Sequence, residues 1–354
     1  MSIYLLNAFS VLLYAFVDCV RHILPQSISL RPRKTKSPGG ASPILFSLLM
    51  LQEILFLGTR IATVGVDTSR YVYAFKNIFQ YEFRYEEGFI LFLKLIRSIT
   101  ANENVFLFIA AMICLLPIGF VIYRFSQMPY LSWYIFICMF YLSFEFSGMR
   151  QSIAMALLFV AFYLLMNNKP VWATLVVLLA GTFHASSMVF LLLVVLYKHR
   201  MKKRDILILI PAYVFIFVAR APIYNLMLRM MYEDYELVET NAYTWMLVYL
   251  LLFFMLYVFL FYIPEDRCMH LSLTSMSIGI AFILLTSVGT NVLRVANYFN
   301  VFLILALPNS MRAISKMNRP IVLIVGIGIL TVFYIIHLQN NPYSIIPYHS
   351  VLFG

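Results

Sequence analysis

From Gly148 to Ser187 the chain reads G-M-R-Q-S-I-A-M-A-L-L-F-V-A-F-Y-L-L-M-N-N-K-P, then V-W-A-T-L-V-V-L-L-A-G-T-F-H-A-S-S. Two apolar runs of helical length flank the polar turn Asn167-Asn168-Lys169. Arg150 and Gln151 open the first run. His184 interrupts the second, among Gly181, Thr182, Ser186 and Ser187. An ionisable side chain at membrane depth costs roughly 2.5–3.5 kcal/mol, so such residues face protein or a wet cavity rather than lipid.

The rest of the chain sets the solvent. Of its 354 residues, 63% are hydrophobic and only 12% charged, and the mean hydropathy is +0.89. Soluble domains carry about 25% charged residues. The composition therefore describes an all-α polytopic integral membrane protein. A single membrane domain spans residues 1–354, with room for about 10–12 transmembrane helices. The formal net charge of +11 does not point to nucleic acid. Its basic residues sit in short loops between apolar runs, where they orient the chain. Cys19, Cys114, Cys138 and Cys268 lack metal-ligand spacing and read as packing residues. The opening M-S-I-Y-L-L-N-A-F-S lacks a basic segment and reads as a retained first span.

Charge then assigns sides. The first span, about Ile3 to Val20, leads into a loop at residues 25–43 carrying Arg31, Arg33, Lys34 and Lys36, which the positive-inside rule makes cytoplasmic. The N-terminus is thus expected outside, and the C-terminal tail likewise. A second span, about Ile44 to Leu57, delivers Arg60 to an external loop at residues 58–87 that holds Asp67, Arg70, Tyr71, Glu82, Arg84, Glu86 and Glu87. G-F-I-L-F-L-K-L-I-R-S-I is too short to cross, and Lys94 and Arg97 share one helical face, as in an interfacial or re-entrant amphipathic helix. Spans follow at about 105–123, 130–146 and 151–166. A single crossing over residues 171–197 would place Lys198, Arg200, Lys202, Lys203 and Arg204 outside. A broken or re-entrant pair meeting near His184 keeps this densest basic loop inside. Later spans run about 206–218, 242–263, 271–288, 292–307 and 321–337. An external loop at 220–241 carries Glu233, Asp234, Glu236 and Glu239.

This topology gathers Arg60, Asp67, Arg70, Glu145, Arg150, Gln151, His184, Arg294 and Tyr298 on the outer side. Guanidinium forks there suit phosphate oxygens, and a carboxylate or histidine suits proton transfer from a sugar hydroxyl. Plainer readings stand beside these. Arg60 terminates a helix and suits snorkelling to head groups. Asp67 suits a turn or N-cap. Glu145 and Arg150 suit a pair across a turn, and His184 suits a hydrogen-bonded core position.

G-x-D-T-x-x-Y (Gly65 to Tyr71) follows Arg60, and E-x-G-F (Glu86 to Phe89) follows it in turn. Then come R-Q-S-I-A-M-A at Arg150, A-G-T-F-H-A-S-S around His184, R-x-x-x-Y-F at Arg294 and I-P-Y at Ile346. In order and spacing these motifs resemble the EpsG family of exopolysaccharide proteins, over essentially the whole chain. That family is similar to the Wzy-type polymerases of O-antigen and capsule synthesis, and a GT-C-like architecture is compatible with it. The resemblance implies a membrane glycosyltransferase that joins undecaprenyl-diphosphate-linked oligosaccharide repeats at the outer face of the bacterial cytoplasmic (inner) membrane. A flippase and a chain-length regulator of the same pathway would be its partners, beside membrane lipid. By position, Arg60, Asp67, Arg150, Gln151, His184 and Arg294 become the candidate site, to which the topology adds Glu145 and Tyr298. His184, Asp67 and Arg150 are the expected catalytic residues, and Arg60, Arg150, Gln151, Arg294, Tyr298 and Glu145 the expected ligands of diphosphate and sugar. No cofactor or metal is expected, since arginines neutralise a diphosphate and no Asp-x-Asp cluster occurs. Two other activities fit the composition: addition of single sugars from a polyprenyl-phosphate donor, and transport of the lipid-linked glycan. The second would favour inverted hydropathy repeats, and none is visible.

Overall fold

Long apolar runs with few charges close their backbone hydrogen bonds internally, which in a bilayer means helix. The computed structural model describes residues 1–23, 38–231, 243–287 and 291–352. The basic positions Arg31, Arg33, Lys34 and Lys36, the acidic positions Glu233, Asp234, Glu236 and Glu239, and Thr290 lie outside them. Among the described residues there is no strand, only an isolated antiparallel bridge between Arg60 and Ser350. Among the described residues six helices are long and apolar enough to cross a membrane, or seven if one bent pair is a single span, and five shorter apolar helices accompany them. The chain divides into two compact units.

The first unit comprises residues 1–164, 171–188 and 314–354. Its helices are α1 (Ser2–Ile23), α2 (Pro43–Gly58), α3 (Thr68–Asn77), α4 (Glu87–Ile99), α5 (Glu103–Phe125), α6 (Pro129–Cys138), α7 (Tyr141–Glu145), most of α8 (Met149–Met166) and α9 (Pro170–Phe183), and a C-terminal helix, Arg319–Asn340. Ser42 caps α2 and Asn102 caps α5 with their side chains, and Pro43 and Pro129 occupy first turns where no N–H is missed. Helix α6 packs against α1, α5, α7 and the C-terminal helix. Almost all of α6 is buried, with Trp133 and Phe136 at its centre. The single span expected over 130–146 is therefore two helices. The break falls at Phe140, whose φ of 69° no helix accommodates.

Helix α4 has the amphipathic form that its sequence predicts. Phe89, Leu93 and Ile96 face the core at helical spacing, while Leu91, Lys94 and Leu95 are exposed. The segment after the C-terminal helix returns across the loop that follows α2. Ile61 N–H donates to His349 O and Val351 N–H to Thr59 O. Gly65 N–H donates to Ser344 O, and Tyr348 donates its hydroxyl to Phe56 O. Gly65 is required here: its φ is +97°, and an added Cβ would collide with the carbonyl of Phe146.

The second unit comprises residues 165–170 and 189–313. A 3₁₀ turn, Ala185–Phe190, leads into α10 (Leu191–Leu196), followed by α11 (Ile206–Val218), α12 (Arg220–Met231), α13 (Tyr243–Leu260), α14 (Arg267–Ile283), α15 (Asn291–Asn300) and α16 (Leu303–Ser310). Helix α14 is its hub, packed by α10, α11, α13, α15 and α16. Asp266 caps α14 by accepting from the N–H groups of Cys268 and Met269. The helices Lys203–Val218 and Arg220–Leu226 form a pair bent by 76°.

The segment from 171 to 197 has the broken form read from its charges. Helix α9 is 14 residues long, about 21 Å at 1.5 Å per residue, and too short for a bilayer core of about 30 Å. It stops at Phe183, and the chain turns through His184 into the 3₁₀ segment. The two ends come together again, since Asn168 on one side and Tyr197 to Arg200 on the other line one pocket.

Candidate functional site

The first unit gathers charged and aromatic side chains around one carboxylate, that of Glu86. This residue occupies the N-cap position of α4 in extended conformation, yet makes no capping bond to its own helix. Its carboxylate turns instead towards α8 and the end of α9. Arg150 Nη1 donates to Oε2 at 2.5 Å. His184 Nδ1 lies 3.1 Å from Oε1, and the N–H of Ala185 donates to the same oxygen at 3.4 Å.

Local sequence explains each placement. Arg150 stands in the first turn of α8. His184 sits one residue past α9, its own N–H making the last bond of that helix to Ala180 O. Gly88 permits the approach of α4 to α9, because a Cβ there would collide with the side chain and carbonyl of Thr182. Tyrosines complete the wall. The ring of Tyr85 lies 4.8 Å from Arg150 Cζ, and the Tyr71 hydroxyl is close enough to act on the same guanidinium electrostatically.

The electrostatics favour an ionised centre. Burial pushes the Glu86 carboxyl upwards, but the hydrogen bond from His184, the backbone and the charge and bond of Arg150 outweigh it and hold it at about 2. The side chains of Arg150, Glu86 and His184 remain 25, 21 and 18% exposed, so a ligand reaches them without unfolding. Beside them α4 and α9 enclose a mainly apolar groove of about 580 Å³, lined by Gly88, Leu91, Lys94, Leu95, Thr182 and Phe183.

The other expected residues take varied places. Asp67 stands at the N-cap position of α3 without a capping bond, 3.5 Å from Arg70, and close enough to Tyr71 and Tyr85 to act on them electrostatically. Gln151 is buried beside Arg150 in the first turn of α8. Arg60 does not reach towards head groups. It is 2% exposed, donates to Leu57 O at 2.5 Å and lies 5.5 Å from the Phe146 ring centroid. Glu145 is also buried, near Arg60, Cys114 and Ser152, but none of these meets it in hydrogen-bonding geometry. Glu145 does not pair with Arg150 across the turn; Glu86 takes that place. Arg294 and Tyr298 belong to the second unit, on α15, the former exposed and the latter fully buried.

Glu86 itself, with Tyr71 and Tyr85, is absent from the residues that sequence reasoning put forward. The signal was the E-x-G-F motif from Glu86 to Phe89. Its glutamate reads as an ordinary loop carboxylate until the fold brings Arg150 and His184 beside it.

A model of the EpsG family matches residues 43–350 of the chain. No curated protein and no solved structure matches it.

Proposed function

The chain belongs to the EpsG family, a Wzy-like family of polysaccharide polymerases, and on that premise we propose that it joins polyprenyl-diphosphate-linked oligosaccharide repeats by glycosyl transfer. Its place in polysaccharide biosynthesis as a membrane protein follows from the family and the apolar helices. The reaction itself is our reading. The observation that carries it is the junction of Arg150, Glu86 and His184, half-buried and bordered by an apolar groove.

In this reading the acceptor sugar hydroxyl attacks the anomeric carbon of the donor. The new C–O bond forms as the bond from that carbon to the diphosphate breaks, and its electron pair leaves with the diphosphate. Glu86 accepts a hydrogen bond from the Nδ1–H of His184, which fixes the tautomer and leaves Nε2 as a base for the proton of the hydroxyl. Arg150 offers its guanidinium fork to the departing diphosphate, where charge develops. The groove between α4 and α9 takes the polyprenyl chain next to that charge. Arg60 and Glu145 brace the wall behind. The outer face of the cytoplasmic membrane is the expected place, as the charge of the loops suggests.

The test is a deletion strain carrying Arg150→Ala or His184→Ala in turn. Complete lipid-linked single repeats should accumulate and polymer should vanish, with protein levels unchanged. Full-length polymer from both variants would reject the assignment. Incomplete repeats would indicate addition of single sugars, and complete repeats held on the cytoplasmic side would indicate transport.

A further inference from the structure

The second unit carries a basic pocket that glycosyl transfer does not use. Its volume is about 350 Å³, and its lining includes Asn168, Lys198, His199, Arg200, Arg267 and His270. Three segments distant in sequence build it: the turn after α8, the loop after α10 and the first turn of α14. Positive loops mark the cytoplasmic side of a membrane protein, so the charge rule assigns this pocket to that side.

Three features distinguish it from a solvated basic loop. Arg267 is fixed in place, donating through Nη2 to Leu165 O and to Asn168 Oδ1 at 2.7 Å each. No carboxylate lines the pocket, because the nearby ones are engaged around it: Asp205 with His199, Glu265 with Arg200, and Asp266 with Arg312. His270 Nδ1 is buried on the wall without a hydrogen-bond partner. Permanent cations at Lys198, Arg200 and Arg267 thus line one concave site whose own wall holds no carboxylate, Arg200 sharing its charge with Glu265 outside that wall.

We propose that this pocket binds a phosphate-bearing anion, either the headgroup of an anionic phospholipid of the inner leaflet or free phosphate. Both sources offer the same oxygens to the guanidinium and ammonium groups. Basic pockets on the cytoplasmic side of helical membrane proteins hold such headgroups, each nearby cation contributing about 1 kcal/mol. The ligand ties the start and end of the segment that carries His184, since Asn168 and Arg200 lie on either side of it.

The experiment uses the full chain purified in detergent, with thermal unfolding and equilibrium binding as readouts. Probes are phosphatidylglycerol in mixed micelles, phosphatidylcholine as the neutral control, and inorganic phosphate. Phosphatidylglycerol, phosphate or both should raise the unfolding midpoint while phosphatidylcholine does not, and the responding arm identifies the source. Lys198→Gln with Arg200→Gln should weaken that binding by about thirtyfold, at about 1 kcal/mol for each lost cation. Lys202→Gln with Lys203→Gln removes two cations of the same loop that do not line the pocket and should leave binding within about twofold. Equal losses in the two double variants would reveal diffuse attraction to a basic loop and overturn the proposal. So would the absence of any response to both phosphate-bearing probes.

Discussion

Arg150 Nη1 and Glu86 Oε2 lie 2.5 Å apart across 64 positions of sequence. The arginine assigned to the diphosphate is thus already held by a carboxylate, whose other oxygen faces His184. Glu86 therefore has two opposed effects, orienting the histidine while competing with substrate for the guanidinium. Glu86→Gln keeps the shape and removes the charge. Polymer formation should fall by about 10²–10⁴-fold, the range for a lost acid–base function, while binding of a polyprenyl diphosphate to the purified protein stays equal or tightens. A parallel loss of binding and turnover would mean that Glu86 only holds the fold.

The depressed carboxyl fixes a pH window. Glu86 is held at about 2 against an ordinary 4.5. Its folded value lies below its unfolded one, so its stabilisation is fully present above about 4.5 and disappears as the pH falls towards 2. Thermal unfolding of the wild type and of Glu86→Gln should differ at pH 7 by a margin that persists to about pH 5. The margin should close near pH 2. A difference that closes already between pH 7 and 5 would place the titration on another group.

Gly88 sets the spacing between α4 and α9. An added methyl collides with both the hydroxyl and the carbonyl of Thr182, so Gly88→Ala should push Glu86 away from His184. We expect an activity loss comparable to that of Glu86→Gln, with the protein still inserted and abundant. Adding Thr182→Ala removes the side-chain clash but leaves the carbonyl, so rescue should be partial. Complete rescue would show that the backbone approach is looser than the structure has it.

Much of this arrangement was legible in the residues. The charge of Lys198, Arg200 and Lys202 to Arg204 called for a chain that returns at His184, and Asn168 and Arg200 do line one pocket. The amphipathic α4 followed from the spacing of Phe89, Leu93 and Ile96. Two things were not legible. The interruption at Phe140 carries no proline or glycine signal, because a positive φ at a buried phenylalanine is imposed by packing around it. The E-x-G-F motif marks the position of Glu86 but not its role, since a single carboxylate among Glu82, Arg84 and Glu87 reads locally as a loop residue. Its role depends on partners 64 and 98 positions away.

The burial of Arg60 separates bracing from ligation. Its guanidinium is 2% exposed and has Glu145 in electrostatic reach, itself 2% exposed. Removing one member leaves the other buried with less compensation, at a cost of about 1–3 kcal/mol. Replacing both by apolar residues of similar size is often neutral. Arg60→Ala should therefore reduce the amount of folded protein in the membrane and its unfolding midpoint. The double change Arg60→Met with Glu145→Leu should restore both, and polymer formation should return with them. If folding returns without polymer, Arg60 contacts the substrate in a conformation more open than this one. Arg150→Lys is the counterpart: Arg150 is a quarter exposed, and its planar fork sits over the Tyr85 ring. A lysine there keeps the charge but loses the bidentate geometry. It should fold normally and still fail to polymerise, so the two arginines fail by different routes that one pair of measurements, folded yield and polymer length, tells apart.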